Sequence, residues 1–259
     1  MRYGLALGSG GIRGVAHPAL IERLMNKRNI NFDVVTGCSA GAVTAALFAL
    51  EGPNKIMNKF EIVMNKYSKK LDELSKDLSS KINIFAKLLA SKGIAKNDIV
   101  YDFLTDLYGN KKFSDCKIKL GVVSVDINSG KLQEITEGYI VDAVMASSNV
   151  PGAFVPQRLG GMNLIDGGVL NEVPVELARK LGAEYVIANH VSPIELRTKF
   201  KDGMDYMSYI DNFKIDRITK NSLKKADEYY EYKGKYMWFE FNKYMKVYEE
   251  GKELYGDIK

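Results

Sequence analysis

The chain has only two cysteines, two histidines, six prolines and one tryptophan among 259 residues, and each shortage removes a class of protein. Cys38 and Cys116 are too few for a disulfide framework and stand in no metal-ligand spacing, so both are expected as reduced thiols. With only His17 and His190 present, any mechanism that needs a histidine has two candidates. No apolar run is long enough to cross a bilayer. Met1-Arg2-Tyr3-Gly4 leads straight into a strand-like run rather than a basic-then-apolar leader, and the chain reads as cytoplasmic. Its formal charge of +5 comes from 37 basic and 32 acidic residues, a mild bias with no nucleic-acid footprint. The pairs Lys69-Lys70, Lys111-Lys112 and Lys224-Lys225 read as solvated faces, with contact to an anionic membrane surface as the alternative.

What is present is enough apolar content, 46%, to bury a full core, and the reading is one domain over 1–259. Tyr3-Gly4-Leu5-Ala6-Leu7 is a buried-strand run ending in Gly8-Ser9-Gly10-Gly11-Ile12-Arg13-Gly14. A helix follows, then the strand Val34-Val35-Thr36 and a second helix after residue 41. Strand, glycine loop, helix, strand, turn, helix is the order of a βαβ unit with a parallel sheet. Between 53 and 93 apolar residues recur every three or four positions, from Ile56 and Phe60 through Val63, Tyr67, Leu71, Leu74 and Leu78 to Ile82, Phe85 and Leu89. The spacing predicts one or two amphipathic helices. We read 53–110 as a helical insertion packed on the sheet, with a lid or membrane-facing element as its other reading. Further on, the pattern predicts strands at 118–125, 132–136, 162–165 and 185–189, helices at 140–147 and 176–181, and a turn at Asn128-Ser129-Gly130. The last stretch, 199–259, reads as a less typical extension of the same domain, with a helix over 204–225, a strand over 236–241 and a helix over 247–255.

Gly37-Cys38-Ser39-Ala40-Gly41 matches G-x-S-x-G, in which a serine sits on a sharp strand-to-helix turn and flanking glycines admit close backbone. Its plain alternative is a helix start capped by Ser39. A serine needs a base and oxyanion donors to act as a nucleophile. The glycine loop can supply bare N–H groups. A nucleotide phosphate is its weaker use, because G-x-G-x-x-G fails at Arg13. For the base, Asp166 ends a short strand and precedes Gly167-Gly168, so its carboxylate is expected at the carboxyl edge of the sheet that holds Ser39. The order Ser39, Asp166, His190 also suits a triad. His17, one turn into a helix before Pro18, is expected to pack or cap.

These motifs resemble the patatin-like phospholipases, a family of lipid acyl hydrolases. The resemblance is carried by Gly10-Gly11-Ile12-Arg13-Gly14, by Gly37-Cys38-Ser39-Ala40-Gly41 and by Asp166-Gly167-Gly168, in that order. The block 146–154, from Ala146-Ser147 to Pro151 and Phe154, and Asn171 with Pro174 extend it over residues 3–192. The resemblance implies a three-layer α/β/α sandwich with a mostly parallel central sheet. It implies a Ser39-Asp166 dyad without histidine, an acyl-enzyme on Ser39, and an oxyanion hole from Gly10, Gly11 and Ile12. Gly8, Arg13, Gly14, Gly37, Gly41, Gly167 and Gly168 support these motifs, with Arg13 steadying the loop or meeting a phosphate. No cofactor and no metal are implied. The expected substrate is a phospholipid or another acyl ester, cleaved as by a phospholipase A, lysophospholipase or esterase, with peripheral membrane contact and no nucleic-acid partner. The alternatives are a non-hydrolytic acyl-lipid-binding or regulatory protein on the same core, acyl transfer, and a Ser39-Asp166-His190 triad esterase.

Overall fold

The computed structural model describes residues 1–79, 93–95 and 98–258. The chain opens with β1 (Tyr3–Leu7), a 3-10 turn (Gly11–Val15), α1 (Ala16–Lys27), β2 (Phe32–Gly37) and α2 (Ala40–Glu51). Next come α3 (Ile56–Ser79), β3 (Gly93–Ala95), α4 (Asp98–Tyr108), β4 (Lys119–Asp126), β5 (Lys131–Ile135) and α5 (Ile140–Ser148). The remainder is β6 (Gly152–Phe154), β7 (Gln157–Leu159), β8 (Met162–Asp166), α6 (Val175–Lys180), β9 (Tyr185–His190), α7 (Gly203–Leu223), β10 (Glu228–Glu231) and α8 (Tyr244–Tyr255).

The main sheet has the order β10-β9-β1-β2-β4-β8-β7, with β5 paired to β4. Strands β10, β9, β1, β2 and β4 are mutually parallel, and β5, β7 and β8 add antiparallel pairings on the β4 side. Parallel strands connected through helices are covered on both faces, which is why β1 reads as a continuous apolar run rather than an alternating one. On one face Leu5, Leu7, Val35 and Val122 join a cluster with α1, α2, α3, α4, α5 and α8. On the other, Ala6, Val34, Val186 and Ala188 pack with Val173, Val175, Ala178 and Leu223. The architecture is the three-layer α/β/α sandwich that the resemblance implies.

The amphipathic stretch turns its stripe inward. Ile56, Val63, Met64, Tyr67, Leu71, Leu74 and Leu78 along α3 are all buried in the main core, at roughly 1.5–3 kcal/mol for each such side chain relative to exposure. That stripe is therefore spent on packing and is unavailable to a membrane. The expected positions Ile82, Phe85 and Leu89 lie outside the described residues.

The tail corrects one expectation. Residues 236–240 form no strand; β10 lies earlier, at Glu228–Glu231, where it pairs with β9 from Glu228 opposite Ile187 to Glu231 opposite His190. The aromatic run Tyr236-Met237-Trp238-Phe239 has the composition of a strand, but the edge of β9 is already occupied by the charged, half-exposed β10. The run makes a turn against the glycine loop instead. Helix α8 closes the domain by packing on α1, and a Cβ at Gly251 would stand 3.2 Å from Ala16 Cα, so glycine sets how closely these helices approach.

Candidate active site

Ser39 occupies a strained turn. Its φ of 52° and ψ of −119° put a non-glycine residue in a sparsely populated region, at a cost of about 1–3 kcal/mol that the surroundings must hold. They do so by crowding. A Cβ at Gly37 would fall 2.4 Å from Gly41 O, and one at Gly41 would fall 2.1 Å from Leu7 O. The Ser39 amide donates to Ser147 Oγ at 2.8 Å, and Ser147 Oγ donates in turn to Val123 O at 2.7 Å. Although Ser39 stands at the cap position of α2, its hydroxyl makes no capping hydrogen bond, so the plain helix-cap reading does not describe it. The positive end of α2 points toward the serine.

Asp166 reaches Ser39 by an unexpected route. Strand β8 runs antiparallel to β4, with Asp166 opposite Ser124, so it brings Asp166 to the carboxyl end of β2 from the opposite direction. Strand β2 pairs with β4 up to Gly37 opposite Val122. Since β5 occupies the other edge of β4 from Val122 to Asp126, β2 and β8 share one edge and meet end to end. Ser39 and Asp166 are brought together at that junction.

The Asp166 carboxylate is 5% exposed. Its Oδ1 accepts from the Gly168 amide at 2.8 Å and from the Cys38 thiol at 3.6 Å. Burial pushes its pKa up to about 6; hydrogen bonds from the Ser39 side chain, the Gly168 amide and Cys38 act the other way, and the charge of Glu172 adds to the rise. Burial also raises the Cys38 thiol well above its usual value, which keeps it protonated and donating. Gly167 lies so close to β4 that a Cβ would meet Val123 O at 2.5 Å.

The glycine loop follows β1. Gly8 N donates to Asn189 O at 2.9 Å and Ser9 N to Glu172 O at 3.1 Å. Ile12 N donates to Trp238 O at 2.9 Å, so this expected oxyanion donor is occupied by the turn at 236–240. Gly10 N and Gly11 N have no backbone acceptor among the described residues. Gly11 has φ of +57°, and any Cβ there would strike Trp238 O. Gly14 packs on Ala40, which ties the loop to the elbow. Arg13 Nε donates to Gly10 O at 3.2 Å. Burial lowers the Arg13 pKa, with the charge of Glu172 partly offsetting this.

The two histidines take different places. His17 is fully buried with Nε2 2.9 Å from Gly8 O and Nδ1 3.0 Å from Asn189 Nδ2. A carbonyl only accepts, so Nε2 carries the proton, and burial drives the pKa to about 4 and keeps the ring neutral. Tyr255 on α8 donates to Asn189 Oδ1 at 2.9 Å, linking the last helix to the loop. His190 points both ring nitrogens at glutamates, Nε2 to Glu172 Oε2 at 3.3 Å and Nδ1 to Glu231 Oε1 at 3.6 Å. Burial opposes its charge, yet the facing Glu172 and Glu231 outweigh burial and raise its pKa.

Sequence reasoning missed Ser147, Glu172 and the Trp238 carbonyl. Ser147 lies within the 146–154 stretch and Glu172 between Asn171 and Pro174, but their partners come from distant strands, loops and helices that local sequence does not reveal. Two surface depressions, about 380 and 540 Å³ in volume, lie at the amino-terminal ends of β2 and β4, around Phe113 and Lys119, and include neither Ser39 nor Asp166.

A doubly covered, mostly parallel sheet with a strained serine and a buried carboxylate at one strand junction defines an α/β protein with a candidate catalytic site. The chain belongs to the patatin-like phospholipase family, whose model matches residues 5–179. It is 28% identical over 194 residues to an uncharacterized NTE family protein of Mycobacterium tuberculosis strain H37Rv, covering 72% of this chain and 48% of that protein. It is 27% identical over 205 residues to the Lysophospholipase NTE1 of Candida albicans, covering 77% of this chain and 14% of that protein. The chain thus matches about half or less of the length of these relatives. Among solved structures, VipD from Legionella pneumophila shares the fold with a TM-score of 0.53 at 15% identity, over 98% of this chain and 66% of that one. Among the described residues no helix is long and apolar enough to cross a membrane.

Proposed function

We propose that this chain is a serine acyl hydrolase that cleaves carboxylic esters of lipids, acting as a phospholipase A, lysophospholipase or esterase. The observation that carries the reading is the end-to-end meeting of β2 and β8 on one edge of β4, which sets Ser39 beside Asp166. In the reaction Ser39 Oγ attacks the ester carbonyl and its proton passes to Asp166. The carbonyl oxygen becomes an oxyanion held by Gly10 and Gly11 N–H and the positive end of α2. Collapse expels the alcohol, which takes the proton from Asp166, and leaves an acyl group on Ser39. Asp166 then takes a proton from water as water attacks, and returns it to Ser39 as the acid leaves. His190 has no part in this scheme, because its nitrogens serve Glu172 and Glu231. A fluorophosphonate probe and a short-chain p-nitrophenyl ester test the reading: both should react with the wild-type protein and fail with Ser39→Ala. Turnover that survives Ser39→Ala overturns it.

Peripheral contact with a lipid surface belongs to the same reading. The apolar side chains that could make it are those of Leu196, Tyr206, Met207, Ile210 and Phe213, all exposed. They lie on the segment after β9 and on the first half of α7, whose later residue Thr219 bonds Glu172 beside the glycine loop.

A further inference from the structure

Glu172 joins the glycine loop to α7 and β9. It is 12% exposed and sits between Asn171 and Pro174 on the segment that follows Asp166. Its Oε1 accepts from Ser9 Oγ at 2.9 Å, and its backbone O accepts from Ser9 N at 3.1 Å. Its Oε2 accepts from Thr219 Oγ1 at 3.0 Å and faces His190 Nε2 at 3.3 Å. The third polar atom of Ser9, its carbonyl oxygen, accepts from Ser192 Oγ at 2.9 Å. Ser9 is therefore held at its amide, its hydroxyl and its carbonyl, and two of those three holds come from Glu172.

The consequence falls on the next residue. A peptide unit is planar, so fixing Ser9 and its carbonyl oxygen also fixes the direction of the Gly10 N–H on the opposite side of the same plane. In the same way Arg13 Nε, by holding Gly10 O, fixes the Gly11 N–H. The charged groups around Glu172 are Arg13 on the 3-10 turn, His190 on β9 and Asp166 at the end of β8, with Glu231 on β10 beyond His190. His190 stands between the carboxylates of Glu172 and Glu231, 3.3 and 3.6 Å from its two ring nitrogens.

We propose that Glu172 is a positioning residue that locks Ser9 and so aims the Gly10 amide at the developing oxyanion. This rests on the reading of Gly10 and Gly11 as oxyanion donors on a Ser39 hydrolase. Losing one such donor costs roughly a hundredfold to a thousandfold in kcat, so a misaimed donor should cost a substantial part of that. Ground-state binding does not use the donor fully, and KM should stay nearly constant.

The test measures kcat and KM on a p-nitrophenyl ester, per active site titrated to completion with a fluorophosphonate, for Glu172→Ala, Glu172→Gln, Ser9→Ala and the Ser9→Ala/Glu172→Ala pair. Glu172→Ala should lower kcat by at least about tenfold with KM within about twofold. Ser9→Ala should do the same, and the pair should cost no more than the worse single change, because both remove one link. Glu172→Gln keeps an acceptor for Ser9 but removes a negative charge near Asp166, so its acid limb should move to lower pH. A residue with only a structural role would change the titrated fraction of sites and move neither kcat per site nor the acid limb. The proposal is overturned if Glu172→Gln and Ser9→Ala leave kcat and the acid limb unchanged, or if the paired losses multiply. Both variants stand in for Glu172→Ala should that protein not fold. Turnover in a Ser39→Ala control would instead remove the functional reading beneath it.

Discussion

Gly37 and Asp166 end two strands that approach each other along one edge of β4: Gly37 lies opposite Val122, Asp166 opposite Ser124, and only Val123 separates the two positions. The backbone oxygen of Val123 is used by Ser147, which also holds the Ser39 amide. The geometry between Ser39 and Asp166 therefore depends on sheet pairing rather than on flexible loops, as the proposed dyad requires.

The pH dependence follows from the raised Asp166 pKa. On the proposed mechanism the ionised carboxylate is the base, so kcat/KM should climb with pH through about 6 and level off above it. A pH profile on a substrate with a pH-independent leaving-group signal measures this. A profile still flat well below that value would remove Asp166 from the role.

The same shift makes a stability prediction of opposite sign. A carboxyl group whose folded pKa lies above its unfolded value favours the folded state when protonated, and that contribution is lost as pH rises from about 4 to about 6. Asp166→Asn should thus abolish turnover yet stabilise the protein at neutral pH, by up to about 3 kcal/mol. The gain should fade as pH drops through that window. Urea unfolding at several pH values checks both statements.

Ser147→Ala removes the acceptor of the buried Ser39 amide. An unsatisfied buried donor costs about 1–3 kcal/mol, and the elbow should loosen. We expect a denaturation midpoint lowered accordingly, together with slower fluorophosphonate labelling of Ser39.

Gly41→Ala should leave no folded protein, because its Cβ would overlap the backbone oxygen of Leu7 on the central strand. Backbone cannot swing aside as a side-chain tip can. Circular dichroism and soluble yield would show it, and a normally folded variant would contradict the packing described.

For lipid contact, Met207→Asp with Phe213→Asp should weaken sedimentation with anionic vesicles and lower turnover on vesicle phospholipid. Turnover on a soluble p-nitrophenyl ester should be retained. Equal binding by wild type and variant would move the contact to another surface.

Local signals carried much of the architecture. The run before Gly8, the turn after Thr36 and the apolar periods of α3 and α5 each depend on neighbours within a few residues, and each could be read as strand, elbow or helix. The family resemblance supplied the pairing of Ser39 with Asp166, which spacing alone left open between an aspartate and a histidine. The strand expected at 236–241 failed for a non-local reason: its composition suits a sheet, but β10 holds the available edge.

By itself the sequence determined the helices and most of the strands, where glycine is demanded, and which serine sits on a turn, since sterics and period act over short range. Tertiary structure alone decided that β8 comes at β4 from the opposite direction, that the α3 stripe faces the core, that Trp238 takes the Ile12 amide, and that His190 answers to glutamates. Each of these depends on which edge, face or buried polar group remains unpartnered once the rest of the chain is in place. Such a vacancy is a property of the assembled fold, and no stretch of residues carries it alone.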